Sequence, residues 1–203
     1  LERELAGILD KTEVWWIHGN HDTDSETDHD NLFGSSLSDR NLHGRVVEVA
    51  GVRIAGLGGI FRGRIWHPTE GIRYESAEDF MIRCTEEYPW RFGLPLRHRS
   101  SIFPEDYYSL VGQQADVLVT HEAPSCHPNG FEAIDELAQS LGVRAAFHGH
   151  HHDRLDYSAC WSGLGFKAYG VGLRGVTQLD GTVLIPGQQD EHRLFRQGMI
   201  SCG

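Results

Sequence analysis

Two stretches decide the fold when they are read together. They are Val117-Leu118-Val119-Thr120-His121-Glu122-Ala123-Pro124 and Val143-Arg144-Ala145-Ala146-Phe147-His148-Gly149-His150-His151-His152. Each is a short apolar run that ends in histidine, which reads as a buried strand with a polar residue at its carboxyl end. Between them, Phe131, Ile134, Leu137, Ala138 and Leu141 fall on one helical face, and Gly142 follows as the stop. Strand, helix, strand is the unit of an α/β fold, and open α/β sheets bind ligands just beyond the carboxyl ends of their strands.

Working outward, Val14-Trp15-Trp16-Ile17 reads as another buried strand, ending at Gly19-Asn20-His21-Asp22. Residues 45–49 and 52–57 read as a hairpin around Ala50-Gly51. Gly56, Gly58 and Gly59 mark close backbone approach. Residues 22–41 read as an acidic loop with a short helix. A helix is expected over 76–88, capped by Ser76 and stopped by Pro89, and another from Pro104 to Leu110 with proline in its first turn. Strands are expected over 165–171, 173–179 and 182–185, with Asp180-Gly181 as a two-residue hairpin turn. The chain reads as one domain over 1–203, with 60–103 an elaborated loop region.

Three predicted strands thus end in metal-type ligands: Asn20, His121, and the pair His150 and His152. The mixture of amide oxygen and imidazole nitrogen suits Zn, Mn or Fe and excludes a soft thiolate site. Six of the 13 histidines lie between 121 and 152. The four cysteines form no Cys-x-x-Cys pair, so reduced thiols and a cytoplasmic location are the expectation. There is no apolar run of membrane-spanning length.

Eighteen basic residues stand against 29 acidic ones, a net charge of −11. Broad nucleic-acid binding gains from the opposite sign, which disfavours a nuclease without excluding it. An acidic chain that works on phosphate esters needs a local positive centre, and bound metal is the usual one.

Gly19-Asn20-His21-Asp22, Thr120-His121-Glu122-Ala123-Pro124 and Gly149-His150-His151-His152, the last read as Gly-His-x-His, resemble the calcineurin-like metallophosphoesterase family. The resemblance covers about residues 13 to 185. It implies an α/β fold, a two-sheet αββα sandwich, and two divalent ions (Mn, Fe or Zn) about 3.5–4 Å apart that generate a metal-bound hydroxide. Carried across, Asn20, His121 and His150 would ligate one metal and His152 the other. His21 would stand at the leaving oxygen, with Asp22 holding its tautomer. The implied substrate is a small phosphoester, handled by a phosphodiesterase or small-molecule phosphatase, because protein phosphatases of the family resemble Gly-Asn-His-Glu instead.

The family's Asp-x-His and Gly-Asp-x-x-Asp do not precede Asn20. Leu1, Leu5, Ile8 and Leu9 share a helical face with no cap before it. The expectation is a chain lacking the family's first strand–helix–strand. A catalytically incomplete relative acting by binding is the alternative. Asp190-Glu191-His192 has suitable letters at the wrong end.

The remaining polar residues have blander readings. His148 is expected in the core or behind the ligands, His151 toward solvent or substrate, and His18 as a strand cap. His127 is placed near the rim, and Glu122 is not expected to bind metal. Seven arginines between 60 and 103 either pair with Glu70, Glu75, Glu78, Asp79, Glu86 and Glu87 or grip phosphate.

Overall fold

The computed structural model describes residues 2–190. In chain order the helices are α1 (Glu2–Leu5), α2 (Glu26–Phe33), α3 (Ala77–Arg83), α4 (Pro104–Leu110), α5 (Glu132–Leu141) and α6 (Trp161–Leu164). The strands are β1 (Arg45–Val49), β2 (Val52–Leu57), β3 (Trp66–His67), β4 (Gly71–Ile72), β5 (Val117–Thr120), β6 (Ala145–His148), β7 (Lys167–Gly170), β8 (Val176–Thr177) and β9 (Val183–Ile185).

A five-stranded sheet in the order β1-β2-β5-β6-β7 organises the chain. β1 and β2 are the expected antiparallel hairpin, turned by Ala50 and Gly51 at φ +50° and +78°. Positive φ at both central residues matches the right-handed twist of the strands. β2, β5, β6 and β7 run parallel. Their register sets Leu57 beside Thr120 and Thr120 beside His148, so their carboxyl ends form one rim. The α/β architecture is as expected. The second sheet of the sandwich is small: β3–β4 and β8–β9 are two-stranded ladders.

Side-chain alternation builds the core. Leu118 points to the helix-covered face, while Val117 and Val119 point to the other. On the covered face Ile134, Leu137, Ala138 and Leu141 of α5 meet Ala55, Leu57, Ala146 and Ala168 of the sheet. Fully burying each leucine or isoleucine contributes about 1.5–3 kcal/mol. Gly142 ends α5 at φ +67°, as expected. Pro104 opens α4, where Asp106 accepts from the Phe103 N–H at 3.2 Å. From the 60–103 excursion, Phe61, Ile65, Trp66, Phe80 and Ile102 enter the same core.

Several expectations are corrected. Residues 14–17 are not a strand. Trp16 makes one bridge, its N–H donating to Arg40 O and its C=O accepting from Leu42 N–H, and no ladder follows among the described residues. The first helix stops at Leu5, and Ile8 stays 46% exposed. The Ser76 cap is present, accepting from Asp79 N–H at 2.9 Å, but α3 ends at Arg83. Beyond it Glu86 and Glu87 turn to Arg64 at 2.6 and 3.2 Å, and those ion pairs replace helix. β8–β9 turns over Leu179-Asp180-Gly181, with Gln178 N–H donating to Thr182 O, one residue more than a two-residue hairpin. Cys84 and Cys126 are free, but Cys160 is disulfide-bonded, against the expectation of reduced thiols. Glu191 and His192 lie outside the described residues. Asp190 is buried and paired with Arg154 at 3.2 Å. No helix among the described residues is long and apolar enough to cross a membrane.

Candidate metal centre

The rim formed by β2, β5 and β6 carries the centre. His121 follows β5 directly, its N–H donating to Leu57 O at 3.1 Å. His150 stands two residues past β6. The Gly19–Asp22 turn approaches from the side, tied by Gly59 N–H to His18 O at 2.8 Å. That approach requires glycine at 58, where a Cβ would lie 2.8 Å from His18 O. Gly19 is equally constrained, since a Cβ there would sit 2.5 Å from Cε1 of His121. Below the turn, the fully buried Ser100 donates to Asn20 O at 3.3 Å and pairs with the Thr23 hydroxyl at 2.7 Å.

Asn20, His121 and His150 converge. Asn20 Oδ1 lies 2.9 Å from His121 Nε2 and 3.1 Å from His150 Nδ1, and the two nitrogens are 3.0 Å apart. Hydrogen bonds cannot satisfy all three contacts. If both nitrogens donate to Oδ1, their own contact has no acceptor. If the amide is turned over, two imidazole lone pairs face each other. One cation resolves the conflict, because ligand atoms about 2.1 Å from a common ion are separated by about 3 Å.

The electrostatics agree. Burial, then the neighbouring His150 and His152, push the His121 imidazole down to about 3. Burial, then His152 and His21, push His150 down as well. Both rings are therefore neutral at physiological pH, the form that ligates metal. His150 and His152 have φ of +61° and +58°, left-handed values that cost about 1–2 kcal/mol each for residues with a Cβ. Such strain concentrates where side chains must be aimed. His152 stands beside the pair and is felt by both rings.

A family model for calcineurin-like phosphoesterases matches residues 1–154. The chain belongs to this family. Calcineurin-like phosphoesterases typically bind divalent metals and hydrolyse phosphoesters. An uncharacterized protein of Haemophilus influenzae is 43% identical over 190 residues, which span 94% of this chain and 83% of that protein. No solved structure matches.

Within this calcineurin-like phosphoesterase, some expected partners differ. Asp22 does not hold His21. It turns back to accept from the Gly19 N–H at 2.6 Å, and burial raises its carboxyl above the usual range. Asp24 meets His21 Nδ1 at 2.6 Å instead. The reason is local. His21–Thr23 is a 3₁₀ turn, in which residues three apart eclipse. His148 is buried as expected, against Tyr157 OH at 3.1 Å. His18 is no strand cap; it is buried against Phe33 and His43. His127 lies near the rim as expected, stacked on His151 at 3.8 Å, but it is buried. Asn129 N–H donates to its Nδ1, so Nε2–H faces Asp153 at 3.6 Å.

Two residues set aside in the sequence sit at the centre. His151 turns inward and stacks on His127 at 3.8 Å. Glu122 is buried and accepts from Phe61 N–H at 3.0 Å, and burial lifts its carboxyl to about 7. One ligand atom each from Glu122, His150 and His151 lie within 4.8 Å of one another. Alternation held the clue to Glu122: it continues the inward series Leu118, Thr120. Nothing in the letters signals the turn that folds His151 in.

Proposed function

We propose that this chain is a metal-dependent hydrolase of a phosphodiester or a small phosphomonoester. Asn20, His121 and His150 would hold one divalent ion and His152 contributes to a second, with Mn, Fe or Zn the fitting metals. The three-way contact of Asn20 Oδ1, His121 Nε2 and His150 Nδ1 carries this reading. Metal at this centre supplies charge neutralisation on the phosphoryl oxygens and activation of water. His21 is exposed on the rim. Its Nδ1–H donates to Asp24, and the imidazolium form, with protons on both nitrogens, would give its Nε2 proton to the leaving oxygen and return to the neutral ring. Ser100 and Thr23 fix the backbone that carries both Asn20 and His21.

The test is Mn²⁺ loading, desalting and elemental analysis, alongside hydrolysis of bis(p-nitrophenyl) phosphate and p-nitrophenyl phosphate. Bound metal with hydrolysis of either ester supports the proposal. Bound metal with no hydrolysis on a wide panel of phosphoesters favours the alternative, a relative that acts by binding.

A further inference from the structure

Arginine is abundant in the 60–103 excursion, and most of it is neutralised. Arg64 pairs with Glu86 at 2.6 Å and Glu87 at 3.2 Å, Arg97 with Glu87 at 2.6 Å, and Arg83 with Asp79 at 2.7 Å. Arg91 clasps Asp30 and Glu26. Arg62 is different. It is half-buried, and no carboxylate lies within ion-pair distance of it among the described residues. Its Nε is buried without a hydrogen-bond partner, and one Nη2 contact reaches Ser100 Oγ at 3.4 Å.

An uncompensated half-buried guanidinium is costly to hold. Burial pulls Arg62 below the ordinary guanidinium range, Arg97 adds to this, and Asp24 and Glu122 oppose it from a distance. It remains charged, with most of its five donors unspent.

The surroundings say what is missing. Arg62 lines a cavity of about 500 Å³ with Arg64, Arg97 and His98, while Glu86 and Glu87 are engaged by the other arginines. Ser100, the residue that Arg62 touches, also holds the backbone carbonyl of Asn20. Arg62 therefore stands two hydrogen bonds from the backbone of Asn20.

We propose that Arg62 and this cavity form a subsite for a second anionic group of the substrate, a phosphate or carboxylate. This rests on the phosphoester reading above and narrows it to substrates with two anionic groups. A guanidinium fork takes either anion in two parallel hydrogen bonds.

Two measurements decide it. The first is calorimetric titration of inorganic phosphate into the full chain held metal-free with chelator. Wild type should bind, Arg62→Gln should bind at least tenfold more weakly, and Arg62→Lys should fall between, with thermal melts confirming that the variants fold. The second compares two esters that differ in one carboxylate, 3-phosphoglycerate and glycerol 3-phosphate. The loaded wild type should favour the first in kcat/KM by at least tenfold, and Arg62→Gln should lose that ratio. Equal phosphate binding by wild type and Arg62→Gln overturns the subsite. So does an equal fall on both esters, because Arg62 would then hold the transferred group. If wild type hydrolyses neither ester nor any aryl phosphate, the phosphoester reading fails, and the metal-free titration still judges the anion site.

Discussion

At the carboxyl ends of β5 and β6 the polar side chains are neutral and crowded. Two imidazoles and an amide face one another with lone pairs in conflict. In the 60–103 excursion four of the seven guanidiniums are matched to carboxylates, while Arg62 and Arg99 each keep a buried Nε without a partner. Both regions are partly buried, and burial penalises unpaired charge in each. The strand ends respond by staying neutral and leaving room for a cation. The excursion responds with internal salt bridges. The same desolvation penalty thus yields a candidate binding centre in one place and a mostly structural network in the other. What distinguishes them is whether the partners are already in the chain.

Removing a strand-end ligand should have the largest effect. His121→Ala deletes one corner of the triangle and should abolish retained metal, with kcat/KM down by about a thousandfold or more. Elemental analysis after desalting checks this directly, and unchanged metal content would break the assignment. Gly19→Ala is subtler, because its Cβ would meet His121 Cε1 at 2.5 Å. The ring must shift while every ligand is retained. Metal affinity should fall about 10–100-fold, the range seen when a ligand's orientation is disturbed. A competition titration with a fluorescent chelator measures it, with the melt of the metal-free protein close to wild type.

The paired aspartates come next. Asp24→Asn weakens the partner of His21 and should lower kcat about tenfold with KM little changed. Asp22→Asn should act through the turn, because Asp22 caps Gly19. Its signature is weaker metal retention rather than a kcat defect. If Asp22→Asn alone lowers kcat, the catalytic pairing follows the motif's letters and not this geometry.

These cases show which parts of the molecule the sequence could carry. β5, α5 and the Gly142 stop were legible because buried strands and amphipathic helices have fixed periods. The strand-end reading brings His121 and His150 to one rim, whereas Asn20 meets them from a turn that no strand precedes. The swap of Asp22 for Asp24 was not legible, since both stand within three residues of His21 and only the 3₁₀ geometry chooses. His151 was missed for a related reason. Left-handed backbone at His150 and His152 breaks the alternation that would have pointed it outward. The helix expected to Tyr88 ends at Arg83, where Cys84 turns extended, and the pairing of Glu86 and Glu87 with distant arginines leaves no periodic trace in the sequence.

The smallest predicted effect tests the excursion. Glu87 is only 10% exposed and contacts Arg64, Arg97 and His98 at 3.2, 2.6 and 3.0 Å. Glu87→Gln should destabilise the fold by about 1.5 kcal/mol, the scale of a charge-assisted hydrogen bond, and leave metal retention intact. Burial raises the Glu87 carboxyl, but the Arg97 hydrogen bond and the positive neighbours outweigh it, so the net shift is below the ordinary 4.5. A carboxyl depressed in the folded state stabilises at pH above its unfolded value, and that contribution is lost as pH falls through the folded value. The urea midpoint of wild type should therefore decline below about pH 4.5 more steeply than that of Glu87→Gln. Parallel slopes would mean that Arg64 is held by Glu86 and that Glu87 adds no net stability to the network. A steeper wild-type slope with unchanged metal content would show that the Glu87 ion pairs serve the excursion's own fold and not the candidate metal centre.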